Sequence, residues 1–148
     1  MHFKKYISTK LIYLNLDNTL RDAKKLFDAH QIHHLLILDE DKKLVGLITD
    51  RELYKQLSPT IGSAKETRED ERILSKKVHL VMTRNPVCCL ANTSLGEMSV
   101  LFNDHHISAL PIVNADKTAL GIITWRDILR MLAVRYQKKQ LDGSQNQA

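Results

Sequence analysis

The chain has 148 residues, room for one ordinary domain or two half-size units sharing a core. Apolar residues make up 43%, too many for a disordered chain. No apolar run nears the roughly 20 residues that span a bilayer, and residues 1–6 lack the apolar stretch of a secretory signal, so we expect a soluble, cytoplasmic protein with no membrane partner. The net charge of +5 raises nucleic acid as a partner, but basic residues are interleaved with Asp and Glu. Only Arg130, Arg135, Lys138 and Lys139 cluster, and stacking aromatics are sparse, which counts against it.

In chain order, Leu11-Ile12-Tyr13-Leu14 reads as a short strand. Asp17-Asn18-Thr19 is cap chemistry for a helix whose Leu20, Ala23, Leu26, Phe27 and His30 recur at spacings of three and four, building one apolar face. Two apolar strands follow, at 35–38 and 44–48, joined by a polar hairpin connection at 39–43. A second helix is predicted over 51–57. The stretch from Ser58 to Lys77, with Pro59, Gly62 and dense charge, reads as a solvated linker, helical toward Val78. The same order then returns: a strand at 86–90, caps at Asn92-Thr93-Ser94, a helix carrying Leu95, Met98, Leu101, Phe102 and His105, two more strands, and a helix over 126–136. The residues after Gln140 read as disordered.

The recurrence is quantitative. Residues 20–51 laid over 95–126, a shift that takes Gly46 to Gly121, give 13 identities in 32 positions, against roughly 2 expected from composition. That is a duplication. The fold class is therefore α/β with mixed sheets: two β-α-β-β-α repeats, each too small for an independent core, packed sheet to sheet about a pseudo-twofold axis. The expected organisation is a first repeat at 5–58, a charged linker at 59–77, a second repeat at 78–136 and a disordered tail at 140–148.

The doubled unit, the segment Val81-Met82-Thr83-Arg84-Asn85-Pro86-Val87 and the strand-to-helix run Gly121-Ile122-Ile123-Thr124-Trp125-Arg126-Asp127 resemble the tandem cystathionine-β-synthase-type (CBS) domain pair, or Bateman module, in particular its small bacterial stand-alone members. The resemblance covers the chain from about Lys5 to Tyr136. It implies a non-catalytic regulatory module, a homodimer, and a cleft between repeats that senses AMP, ADP, ATP or S-adenosylmethionine and relays the signal to a regulated partner protein. Two alternatives stay open: a ligand-free dimerisation or partner-docking module, and third a nucleic-acid-binding regulator.

Carried over residue by residue, the resemblance gives Thr124 a phosphate or ribose contact and Asp127 the ribose hydroxyls, with Arg126 as counter-charge. Thr83, Pro86 and Val87 would wall the adenine, with Ser108 and Ala109 beside the same cleft, and His33 and His34 are candidate phosphate contacts. Chemically, a threonine ending a strand and an aspartate in the first helical turn suit a phosphate and a diol. They equally suit a capping box, in which the same side chains satisfy the helix's own free amides. The first copy carries Thr49 and Glu52 instead; its longer acid suits capping, so that cleft is expected to be weaker. No metal is expected: His33 and His34 are adjacent and would diverge on a strand, and the neighbouring Cys88 and Cys89 form no CxxC pattern. No Ser/His/Asp constellation, paired acid site or Walker loop stands in the sequence, and no enzyme is expected.

Overall fold

The protein is described by a computed structural model covering residues 10–145. The first repeat runs β1 (Tyr13–Asn15), α1 (Leu20–His30), β2 (His34–Leu38), β3 (Leu44–Thr49) and α2 (Asp50–Tyr54). After α3 (Arg68–Leu74), a 3-10 turn at Val78–Leu80 and β4 (Thr83–Arg84), the second repeat runs β5 (Cys89–Leu90), α4 (Leu95–His105), β6 (Ala109–Val113), β7 (Ala119–Thr124) and α5 (Trp125–Gln145). The repeated β-α-β-β-α order is present as expected.

Each helix starts where a hydroxyl and an acid three residues apart satisfy free amides. Reciprocal capping boxes pair Thr19 with Asp22, Thr49 with Glu52, Thr67 with Asp70 and Ser94 with Glu97. The duplication extends to backbone detail. Gln31 and His106, twins under the shift of 75, both end their helices in left-handed conformation (φ 50° and 52°). Lys42 and Lys117 do the same in the two hairpin turns (φ 62° and 71°).

The strands form two sheets of order β1-β2-β3-β4 and β5-β6-β7. In each, the opening strand pairs parallel and the hairpin antiparallel, with a register shift at the twin positions Ile37/Leu38 and Ile112/Val113. The second ladder is shorter at one end: Tyr13 pairs with Leu36, but their twins Cys88 and Pro111 do not pair. Pro111 has no N–H to offer the opening strand.

Three apolar clusters hold these layers. One lies under α1 around Leu20, Phe27, Leu35 and Ile48; the second lies under α4 and α5 around Met98, Leu110, Ile123 and Met131. The third is the seam between repeats, where Leu36, Leu38 and Leu44 meet Val113 and Ala119. At one end of the seam the two hairpins exchange symmetric backbone bonds, Leu44 N–H to Lys117 O at 2.9 Å and Ala119 N–H to Lys42 O at 3.1 Å. These two bonds map onto one another under the shift of 75, which is the pseudo-twofold axis in its most local form.

Three expectations need correction. The opening strands begin later than predicted, at Tyr13 and Cys89. The segment 59–77 is more than a solvated linker: α3 packs Leu74 into the first core, and the buried Asp70 carboxylate fastens the preceding loop. Asp70 accepts from the Ser58 and Thr67 hydroxyls, both at 2.8 Å, and from both backbone amides. These bonds hold its carboxyl down at about 2. The tail is also not disordered from 140: α5 continues through Gln145, and only residues 146–148 of it lie outside the described residues.

Candidate nucleotide cleft

Away from the hairpin clamp, at the far end of the same strands, β3 and β7 turn into α2 and α5. The strand ends Asp50 and Trp125 are again twins: Asp50 N–H donates to His33 O at 3.2 Å, and Trp125 N–H to Ser108 O at 3.3 Å. Between these junctions lies a groove of about 880 Å³ to which both repeats contribute. Of the residues expected to form a site, Thr124, Arg126, Asp127, Ser108, His33, His34 and Thr49 all line it.

Thr124 and Asp127 form the capping arrangement. Thr124 N–H and Oγ1 donate to Asp127 Oδ2 at 2.8 and 2.7 Å, and Asp127 N–H reaches Thr124 Oγ1 at 3.3 Å. The box uses only one carboxylate oxygen. Among the described residues Oδ1 of Asp127 accepts nothing, so capping and a ligand contact are compatible in one side chain. At the first junction both oxygens of Glu52 have a partner: Oε2 takes Thr49 N–H at 2.8 Å, and Oε1 is approached by the Thr83 hydroxyl at 3.4 Å.

The groove is electropositive. Lys10, Arg51, Arg126 and Arg130 line it against the carboxylates of Asp50 and Asp127. Asp50 is already paired with His33 Nδ1 at 2.7 Å. The Arg126 guanidinium stacks 5.6 Å from the Trp125 ring centroid. His33 and His34 diverge as their adjacency implied: His34 Nε2 meets Ser108 Oγ across the seam at 2.8 Å. Burial pushes the His34 imidazole below its ordinary value, against the pull of Asp50 and Glu52.

The proposed adenine wall is not where the sequence put it. Thr83, Pro86, Val87 and Ala109 do not line the groove that holds Asp127. Thr83 lies on β4, which adds to the edge of the first repeat's sheet by pairing with Gly46 and Leu47, and so faces Glu52. A Cβ on Gly46 would stand 2.1 Å from Met82 Sδ, so the glycine permits that crossing. Val87 packs into the second core, and Ala109 is buried. The residues that wall the Asp127 groove are Lys10, Leu11 and Ile12, the twins of Asn85, Pro86 and Val87. Lys10, Leu11 and Ile12, which lead into β1 of the first repeat, thus reach the junction of the second. The shift of 75 carried that information; what was missing was which sheet each segment joins. Trp125, Arg130 and Tyr54 also line the groove and were not anticipated.

Among the described residues no cluster of three or more His, Cys, Asp or Glu could hold a metal, and no helix is long and apolar enough to cross a membrane. Cys88 and Cys89 are both free, and burial pushes the Cys89 thiol up to about 11.

Two mixed sheets related by a pseudo-twofold, with a groove at their strand-to-helix junctions, define a tandem α/β repeat module. The CBS domain profile matches residues 3–59 and 76–134, and the chain belongs to the CBS domain family. A CBS domain-containing protein of Dictyostelium discoideum is 33% identical over 131 residues, covering 87% of this chain and 89% of the relative. The CBS domain pair of protein MJ0100, solved in complex with 5′-methylthioadenosine and S-adenosyl-L-methionine, superposes with a TM-score of 0.73 at 26% identity, covering 89% of this chain and 95% of that one. Inosine-5′-monophosphate dehydrogenase of Helicobacter pylori is 34% identical over 122 residues; the match covers 82% of this chain and only 22% of the enzyme, where the CBS pair is a minor part.

Proposed function

We propose that the chain is a non-catalytic regulatory module that binds a phosphorylated adenosine nucleotide in the Asp127 groove and relays occupancy to a partner protein. The observation that carries this reading is the uncommitted Oδ1 of Asp127 at the base of an electropositive groove shared by both repeats. A carboxylate oxygen there accepts a ribose hydroxyl. Thr124 and Arg126, with Arg51 and Arg130, supply donors and charge for phosphates, and the N-terminus of α5 adds its own field. Leu11, Ile12 and Ile122 provide apolar wall for the base. Four fixed cations favour AMP, ADP or ATP over S-adenosylmethionine, whose sulfonium adds positive charge. The first junction, Thr49 and Glu52 with Thr83 brought beside them by β4 and Pro86 and Val87 following it in the chain, is a weaker site because Thr83 already stands at the second oxygen of Glu52.

Support comes from the adenosine compounds in the solved MJ0100 pair. A sensor of this kind works in the cytoplasm as a homodimer. Val100 on α4 and Leu129, Leu132 and Tyr136 on α5 are exposed apolar side chains that a second copy would cover. The test is calorimetry with AMP, ADP, ATP and S-adenosylmethionine on the full chain. ATP or AMP should bind and stabilise it, and Asp127→Ala should abolish both effects. Silence with all four compounds removes the reading. A second reading, docking on a partner without small ligand, draws on the complete Thr124–Asp127 cap; it requires unchanged melting with every nucleotide.

A further inference from the structure

One titratable side chain in the groove ties the repeats together, and the duplication has not copied it. His34 opens β2, and its Nε2 lies 2.8 Å from Oγ of Ser108, 74 residues away in the other repeat. The twin of His34 is Ala109, which cannot titrate. The twin of Ser108 is His33, already paired with Asp50. The His34–Ser108 contact is thus an asymmetric tie across a symmetric seam, lying within the groove itself.

Its surroundings come from several elements. Asp50 and Glu52 of α2 favour a proton on His34, and His33 opposes one. The groove adds Lys10 ahead of β1, Arg51 of α2, and Arg126, Asp127 and Arg130 of α5. Burial, with His33 adding to it, holds the imidazole below its ordinary value, and in the tautomer with the proton on Nδ1 its Nε2 accepts a hydrogen bond from the Ser108 hydroxyl. Phosphate reverses this balance, since an anion arriving in the groove raises the proton affinity of any imidazole it reaches.

We propose that anionic-ligand binding in this groove is coupled to protonation of His34: the phosphate draws a proton from solvent onto Nε2, which then donates to the ligand and releases Ser108. The inference rests on the reading of the groove as a phosphorylated-nucleotide site. The sign follows from linkage. Because the bound state holds the proton more tightly than the free state, affinity rises as pH falls through the interval between the free and bound pKa values. The same event loosens the inter-repeat tie, giving the module a structural output at the moment of binding.

Calorimetry of ATP binding to the full chain at pH 6, 7 and 8, in buffers of different ionisation heat, tests it. Wild type should take up a fraction of a proton and gain about threefold to fivefold in affinity from pH 8 to pH 6, measured against the slope of His34→Gln, as a rise of about one pKa unit allows. The ATP terminal phosphate, which ionises near pH 6, titrates alike in both proteins and cancels in the comparison. His105→Gln, outside the groove, should keep the wild-type slope. The His34 imidazole, followed by NMR, should titrate higher with saturating ATP than without. Equal slopes in wild type and His34→Gln, or an imidazole pKa unmoved by bound ATP, overturn the coupling and leave the nucleotide site standing. Failure of ATP to bind at any pH overturns the site and the coupling together.

Discussion

The two strand-to-helix junctions share one local grammar and have different neighbours. At both, a threonine and an acid three residues on close a capping box with a single carboxylate oxygen. At the first junction, edge strand β4 brings Thr83 to the second oxygen of Glu52. At the second, the corresponding oxygen of Asp127 accepts nothing among the described residues and faces a groove lined by cations. The box is therefore alike at both junctions, and what differs is the tertiary neighbour of the spare oxygen.

The largest effect tests whether both junctions depend on one seam. Leu36 is 1% exposed in the cluster between the sheets. Leu36→Ala should cost about 3 kcal/mol and still unfold both repeats in one transition by urea denaturation. Two separate transitions would mean that the repeats stand alone. Next comes the contrast between the acids. Asp127→Ala should weaken ATP at least tenfold, about 1.4 kcal/mol or more, while Glu52→Ala should change it less than about twofold. Each should also lower stability by about 1 kcal/mol through its lost cap. Asp127→Glu sharpens the contrast: it should keep the cap and lose nucleotide affinity, because a longer acid misplaces the free oxygen.

A comparable but purely structural effect is expected at the crossing that supplies Thr83. Gly46→Ala forces Met82 aside and should cost about 1–2 kcal/mol by thermal melting, since the colliding atoms belong to a flexible side chain. The last effect appears only in acid. Because the folded-state value of Asp70 is depressed from 3.8 to about 2, its contribution is complete above 3.8 and is lost as pH falls from there toward 2. Asp70→Asn should melt lower than wild type at neutral pH and show a flatter loss across that acid interval. Asp116 in the second repeat is likewise held down at about 2, so the Asp70 share is read as the difference between wild type and Asp70→Asn.

Much was legible in the residues. The shift of 75, the apolar faces of α1 and α4 and the caps at Thr19 and Ser94 are local patterns, and each appears where its chemistry placed it. Thr124, Arg126, Asp127, His33, His34 and Ser108 line one groove, because they lie at matching ends of the duplicated unit. The wall was misplaced because Thr83, Pro86 and Val87 precede β5 in sequence yet lead in from an edge strand of the other sheet. The order of α3 was hidden in charge: Asp70 reads as a solvated acid until Ser58 and Thr67 close around it.

The sequence by itself determined the duplication, the order of elements, the helix starts and the pairing of an acid with each strand-ending threonine, since all of these are set by contacts a few residues apart or by a strict internal repeat. Only the tertiary structure decided which opening segment walls which groove, which carboxylate oxygen stays open, and that His34 meets Ser108. Those depend on edge-strand pairing and seam packing between residues roughly 30 to 115 positions apart, and a linear pattern fits more than one such arrangement until the sheets are packed.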